Sequence, residues 1–465
     1  MDSLGTVQQL IKALEAGNYN VAPSQLLQGA ALQIEDLSPV MQNVTFQDKA
    51  LVIQQMVRVE SCKSMLVQFD RQLSHGIFGG SAQIEGQVGQ EETSDYVRIV
   101  VPMAFYSHVR RVTVQADMVA TVDGKKATER AAESAAMKLA GDIELDICRG
   151  MADFSNNGVF DGNPLAMAKL ANMHGLDVQL RQSDFQRNSQ DLMFDEFGSD
   201  QSIVISVGGV LTQNSVEDSA VRSAMNHGSA DKLLLDPVTL ANYNKMAFNK
   251  ERIILAGSPQ GATGAELKQQ WTSSGTITMK ASRFLSGKTS PAGFRTNGPS
   301  APTFTAASTT VAGVVSPFIA GQVYLYYATS GNEIGESPKS PIVSRTVTAT
   351  GDVLDLTITP PGAGTVRYFN VYRTPAGGSA ATAKFIGRVA RGNAGTVVFR
   401  DIGNKLPGFV TGLLIEEDTF HLAELSPYSR KKLAVVDLSD PECFFRFCSL
   451  AVTQPRKNAL LDNLA

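Results

Sequence analysis

The tetrad Ser286-Gly287-Lys288-Thr289 carries the Gly-Lys-Thr of a phosphate-binding loop. Such a loop needs an earlier glycine so that successive backbone N–H groups can wrap the phosphates, and the position the spacing requires is Ser282. No apolar strand leads directly into the tetrad and no helix pattern follows it, so a nucleotide site is not expected. The five histidines, His75, His108, His174, His227 and His421, stand apart from one another. A metal site needs three or four convergent ligands at recognisable spacing, so neither a metal nor a cofactor is expected. The acids Glu416-Glu417-Asp418 and Glu91-Glu92 are contiguous. General acid–base work needs two environments that push two pKa values apart, and a contiguous run shares one environment, so these read as solvated turns. No Gly-x-Ser-x-Gly elbow supports a Ser/His/Asp nucleophile. Cys62, Cys148, Cys443 and Cys448 show neither metal nor redox spacing and read as buried free thiols. No catalytic residue is assigned.

One charged constellation remains. Arg110-Arg111 read as facing Glu85, Glu91, Glu92 and Asp95, acids on the approach to the same pair of strands. Within one chain this is a solvated ribbon face. Between copies of the chain it would be charge complementarity, which sets register more than affinity. Glu91, Glu92, Arg110 and Arg111 are therefore the candidate inter-subunit residues.

Composition narrows the classes. The chain has 465 residues, 43% of them apolar, and a formal net charge of −4. That length admits two to four domains with ample core, and the charge argues against a dedicated nucleic-acid binder, which would concentrate Lys and Arg. The N-terminus lacks the pattern of a secretory signal and no apolar run is long enough for a transmembrane helix. Synthesis in the cytoplasm is the expectation.

The elements that would position these residues follow from periodicity. Val7, Leu10, Ile11 and Leu14 suggest a first helix and 46–59 a second, within an arm interrupted by Pro23 and Pro39. Glycines 76, 79, 80, 86 and 89 lead into strands at 96–101 and 109–114, joined by a polar turn at Tyr106-Ser107-His108. This predicts a hairpin without a core of its own, which must pack on the body or on another chain. The strongest helix runs from Ala127 to Arg149. Ala132, Ala136, Leu139, Ile143 and Ile147 form its apolar stripe, Glu144 and Asp146 fall on its polar faces, and Gly150 stops it. Then come a helix 216–225 capped by Ser215, a strand 232–235, and a helix opening at Asp236-Pro237. The last strands are expected at 410–417, 420–425, 433–437 and 444–452.

Residues 301–402 read differently. Short runs such as Val323-Tyr324-Leu325-Tyr326-Tyr327 and Val366-Arg367-Tyr368-Phe369-Asn370-Val371-Tyr372, rich in β-branched and aromatic residues, alternate with Gly, Pro, Ser and Asn. This is the pattern of an immunoglobulin or fibronectin type III sandwich, and the absence of cysteine favours the latter. The Gly/Pro/Ser-rich stretch 290–300 ahead of it suggests a detachable module.

The segments Phe369-Asn370-Val371-Tyr372-Arg373, Phe385-Ile386-Gly387-Arg388-Val389, Phe399-Arg400-Asp401, Phe420-His421-Leu422-Ala423-Glu424-Leu425-Ser426-Pro427 and Leu450-Ala451-Val452-Thr453-Gln454-Pro455-Arg456-Lys457, in this order, resemble the major capsid proteins of tailed bacteriophages. The resemblance is closest to those of large myophages that carry an immunoglobulin-like module late in the chain. It implies an α+β chain of the tailed-phage (Hong Kong 97-type) fold. Its parts would be an N-terminal arm at 1–74, an E-loop hairpin at 75–120 and a P domain with its spine helix at 121–200. An A domain and linker would follow at 201–300, then the Ig-like insertion at 301–402 and return strands at 403–465. The implied partners are further copies of the chain in hexamers and pentamers, with portal and scaffold or decoration proteins. DNA would be enclosed without sequence-specific binding, no membrane is involved, and the location is the virion. Some members of that family crosslink a Lys to an Asn between subunits, but no residue here identifies such a pair. An encapsulin-like nanocompartment and a carbohydrate-active enzyme with an accessory fibronectin-like module are the alternatives. Against the enzyme, Trp271 is the only tryptophan available for sugar stacking.

Overall fold

Strands from distant parts of the sequence pair with one another in the computed structural model of the chain. It describes residues 48–118, 126–150, 173–181, 202–248, 269–286 and 298–465, apart from 73–74, 76–80, 90, 92 and 95 in the first stretch and 311–315, 333–334, 363–364, 392–394, 404 and 436–437 in the last. The expected helix at 7–14, the glycines at 76–80, Gly287-Lys288-Thr289 of the phosphate-loop tetrad, and the acids Glu92 and Asp95 lie outside the described residues. The chain divides into two compact units. The smaller takes in 111–131 and 435–440, and in it the N–H of Val114, the first residue of α1 (Val114–Met118), donates to Leu438 O at 3.1 Å, while Thr128 donates from N and Oγ1 to Asp117 Oδ1. The other elements below lie in the larger unit, or mostly so.

A four-stranded sheet runs in the order β1 (Arg58–Ser61), β17 (Phe420–Lys432), β18 (Ser439–Val452), β4 (Ala104–Thr113). β1 is parallel to β17 and β17 antiparallel to β18. One face of this sheet, through Phe420, Leu422, Cys448 and Leu450, packs on Ile143 and Ile147 of the long helix α2 (Ala127–Cys148). The opposite face, through Ala423 and Ala451, carries a two-stranded ribbon made of β2 (Leu66–Gln72) and β3 (Tyr96–Pro102), whose Val67 and Val101 are buried there. Helix, sheet and ribbon thus form three layers.

The expected hairpin is corrected by this pairing. Both strands form, but β3 pairs with β2, Leu66 opposite Pro102 and Gln72 opposite Tyr96, while β4 joins the edge of β18. Residues 106–108 lie inside β4 rather than in a turn. The chain changes partners at Met103, whose N–H donates to Met65 O at 3.0 Å. The ribbon gains burial against Ala423 and Ala451 that a local hairpin would have lacked, which is the advantage of the non-local pairing.

The expected helix at 46–59 reduces to a 3-10 turn at Asp48–Ala50 and irregular turns before β1. The reason lies in Glu144: its carboxylate accepts the N–H groups of Ile53 and Gln54 at 2.7 and 3.0 Å, donors that a helix would have spent on its own carbonyls. Glu144 is fully buried and Asp146 nearly so, which corrects their placement on a polar face. On the stripe itself Ala135, not Ala136, is the buried alanine. Gly150 ends α2 at φ 49°, where an added Cβ would lie 2.3 Å from Gly175 N.

A second sheet runs β5 (Val204–Gly209), β19 (Ala459–Leu464), β16 (Val410–Ile415), β6 (Lys232–Leu235), β8 (Gly275–Ala281), β7 (Gln269–Thr272). Its Leu233, Leu414 and Leu461 pack with Val216 and Ala220 of α3 (Gln213–Met225) and Tyr243 of α4 (Pro237–Phe248). Leu234, Leu413 and Leu460, on the opposite face, join the core around Ile143 and Ile147. α3 is capped by Thr212, whose side chain accepts from Ser215 N, rather than by Ser215 itself. Asp236 caps α4 as expected, its Oδ2 accepting the Val238 N–H at 2.9 Å. Residues 433–435 are not a strand, and 444–452 is not the last one: β19, every residue of it buried, sits between β5 and β16.

Residues 303–401 form two further sheets, β11 (Val343–Thr346), β10 (Val323–Gly331), β13 (Tyr368–Arg373), β14 (Lys384–Ala390) and β15 (Val397–Asp401), β12 (Val353–Thr359), β9 (Thr303–Thr309). They share a core around Tyr326, Phe369 and Phe399. β9 carries no strong sequence signal, being threonine and alanine rather than large apolar residues.

Candidate functional site: the ribbon and the sheet beneath it

Alternation along β2 and β3 sorts their residues onto two faces. Val67, Phe69, Ile99 and Val101 face the four-stranded sheet. Gln68, Asp70, Arg98 and Val100 face away, and Tyr96 and Leu66 are exposed beside them, Tyr96 at 65%. On this outer face Arg98 grips Asp70 directly across the ladder, Nε to Oδ1 at 2.9 Å and Nη2 to Oδ2 at 3.3 Å. That bond holds the Asp70 carboxyl below its usual range.

The inner face is clamped by Arg71. Its Nη2 donates to Val452 O at 2.5 Å and its Nε to Thr453 O at 2.8 Å, at the end of β18. Burial, with a smaller push from the like charge of Arg456, lowers this guanidinium to about 10. A cation placed on strand-end carbonyls pairs with the groups there that have no ladder partner. Ser449 Oγ adds a bond to Pro102 O at 2.9 Å.

Beyond the ribbon, among the described residues, the same face of the sheet carries exposed apolar side chains. On β4 Phe105 is 51% exposed and Val109 50%, and Phe105 meets Phe447 edge-to-face at 5.1 Å, with Phe445 against Phe447 at 5.2 Å. These apolar side chains sit on the surface of the described chain, the position in which contiguous apolar area marks an interaction site.

Arg110 and Arg111 are successive on β4 and so point to opposite faces. Arg110 turns toward α2, its Nη2 donating to Ser134 Oγ at 3.4 Å, and Arg111 is exposed. Glu85 and Glu91 are exposed, and among the described residues no ion pair joins either to Arg110. The expected facing of both arginines to one acid group is therefore not what the strand permits. Sequence reasoning missed Asp70 and Arg71 because it had assigned residues up to 74 to an arm, and missed Arg98 because its partner strand was then absent; the alternating Leu66-Val67-Gln68-Phe69-Asp70-Arg71 was the available signal.

The other residues considered for chemistry serve structure. Glu416 Oε2 accepts the Ser229 N–H at 3.0 Å, and Glu417 pairs with Lys232. His174 is buried, and burial lowers it to about 4. His421 Nε2 lies 3.6 Å from Glu60. All four cysteines are free; Cys148 and Cys448 are buried as expected, Cys62 and Cys443 only partly. Among the described residues no group of three or more His, Cys, Asp and Glu side chains gathers to hold a metal ion, and no helix is long and apolar enough to cross a membrane.

No protein-family model matches the chain, and no curated protein matches it. Solved structures similar to it include the capsid of a native GTA particle, at 10% identity and TM-score 0.47, covering 94% of this chain and 97% of that one. The capsid of cyanophage P-SCSP1u is similar at 9% identity and TM-score 0.43, covering 93% of each chain. The SrpI encapsulin of Synechococcus elongatus PCC 7942 is similar at 8% identity and TM-score 0.40, covering 94% of this chain and 95% of that one.

Proposed function

We propose that this chain is the structural subunit of a closed shell, a major capsid protein of the tailed-phage kind that assembles with copies of itself around double-stranded DNA. The observation that carries the reading is the three-layer arrangement of α2, the four-stranded sheet and the ribbon, with apolar residues left exposed on the β surface. In this reading α2 would be the spine helix, the six-stranded layer with α3 and α4 the A domain, the sandwich an Ig-like insertion, and β16 to β19 the return strands that complete both sheets. A subunit of this kind takes much of its stability from neighbours, and obligate contacts bury about 2,000–5,000 Å². Identical chains in head-to-tail contact close into rings, and the rings tile a shell. The net charge of −4 suits enclosing DNA without gripping it. The role is structural rather than enzymatic. Portal, scaffold or decoration proteins would be further partners and the virion the location. Of the four charged candidates, Glu91 and Arg111 are exposed and available to a neighbouring copy, whereas Arg110 acts within its own chain.

Electron micrographs and sedimentation of the purified full chain test this. Rings, capsomers or shells are expected. Small monodisperse particles at every concentration would overturn the reading; shells formed equally well by a variant with Phe105 and Val109 both changed to Asp would show that the exposed β surface is not a contact between copies.

A further inference from the structure

The segment that leaves the sandwich is tied alternately to the sandwich and to the six-stranded layer. Lys405 O accepts from Arg373 Nη2 on β13, while Lys405 Nζ lies 3.7 Å from Asp177 Oδ2, beneath the six-stranded layer. One residue on, the Leu406 N–H donates to Asn463 Oδ1 of β19 at 2.8 Å. Two residues further, the Gly408 N–H returns to the sandwich at Phe385 O, 3.2 Å.

Each end of this segment rests on buried charge. In the sandwich, Arg373 Nη1 donates to Asp401 Oδ2 at 2.6 Å, and the hydroxyl of the fully buried Tyr326 donates to the same oxygen at 2.8 Å. In the layer below, Arg181 bridges Asp177 at 2.5 Å and Asp462 at 2.7 Å, all three side chains buried. Two carboxylates against one guanidinium leave that cluster one negative charge in excess. Lys405 supplies a compensating cation from the insertion side, and Arg149, which also faces Asp177, adds a second contribution while its Nη1 donates to Ser286 O. Without Lys405 that excess would fall to Arg149 alone, whose guanidinium also serves Ser286 O, and a poorly compensated buried charge is destabilising, so the layer draws stability from a residue positioned by the sandwich.

We infer that residues 405–408 form a strap that couples the sandwich to the six-stranded layer, with Lys405 as its positioning residue, so that the two fold and unfold as one body rather than as a host with a hinged module. The strap is an arrangement of this chain alone and does not depend on the shell reading.

Thermal unfolding of the full, unassembled chain tests it with two probes. Hydrogen exchange of peptides covering 459–464, in the buried β19, reports the six-stranded layer, and exchange of peptides covering 368–373 reports the sandwich. The wild-type transitions should coincide. Lys405→Met should lower the transition of the 459–464 peptides and separate it from that of the sandwich, and Lys405→Arg should restore coincidence. Separate transitions in the wild type, or coincident ones at the wild-type temperature in Lys405→Met, would overturn the strap. If Lys405→Met gives no soluble chain, Asp177→Asn with Lys405→Met, which leaves Arg181 and Asp462 balanced, should recover it with the transitions apart. Failure to recover, or recovery with the transitions together, counts against the inference.

Discussion

Ile143 and Glu144 are neighbours on α2, one apolar and one acidic, and both are fully buried. Ile143 is buried by its place on the stripe; Glu144 is buried because it holds two backbone donors of another segment. Glu144→Lys would leave those donors facing a buried ammonium, and a loss of about 3–5 kcal/mol is expected in urea unfolding. Glu144→Gln keeps one acceptor oxygen and should cost about 1–2 kcal/mol. Equal midpoints for wild type and Glu144→Lys would mean that the pin is not holding the 53–54 turn. The cysteines offer a second check. Burial pushes the Cys448 thiol up to about 12, and Cys148 is fully buried, so in the native unassembled chain iodoacetamide should label Cys62 and Cys443 first. Mass spectrometry of the tryptic peptides would read the order.

At the scale of elements, the ribbon is a pair of strands that depends on the sheet beneath it. Its two apolar positions per strand bury little area, so Arg71 carries a large share of the attachment through two charged hydrogen bonds, each worth about 1.5–3 kcal/mol. Arg71→Met should therefore raise amide exchange in 66–72 and 96–102 by tenfold or more, with α2 unaffected. Arg98→Met, on the solvated outer face, should leave exchange at the wild-type rate. If the two variants behave alike, the clamp is not what holds the ribbon down. Arg110 and Arg111 are consecutive on β4 and leave opposite faces of the strand, so a flat partner surface would meet only one of them.

At the scale of the whole molecule, the C-terminal strands join what would otherwise be separate layers: β17 and β18 complete one sheet, β16 and β19 the other. Buried ion clusters sit where the layers meet, and they make stability depend on pH. Burial pushes the Asp177 carboxyl up, but Arg181, Lys405 and Arg149 outweigh it and hold the group below 3.8. A depressed carboxylate contributes stability that is present above its unfolded value and is lost as pH falls through the lower folded one. The urea midpoints of wild type and Asp177→Asn should thus differ by a constant amount near neutrality. Below pH 3.8 the gap should close, because only the wild type has this proton to take up. A gap independent of pH down to the acid limit would show that Asp177 is not ionised in the fold. Removing residues 301–402, the segment read as a detachable module, would also deprive Lys405 O of its bond from Arg373.

Interactions within a few residues were legible in the sequence. α2 begins at Ala127 as its periodicity predicts, β6 occupies 232–235, Asp236 caps α4, and the strands β10 to β15 fall on the runs of β-branched and aromatic residues. Each of these depends on side-chain spacing or on a cap reaching two or three residues along the chain, so the information is local. What only the tertiary structure decided depends on partners far away in sequence. β3 pairs backward with β2 rather than forward with β4, Glu144 is drawn inside by Ile53 and Gln54, and β19 is inserted between β5 and β16. Lys405 finds Asp177 across the junction in the same way. A strand's pattern shows that one face will be buried but not against what, and an acidic residue shows its charge but not whether a distant backbone donor will compensate its burial.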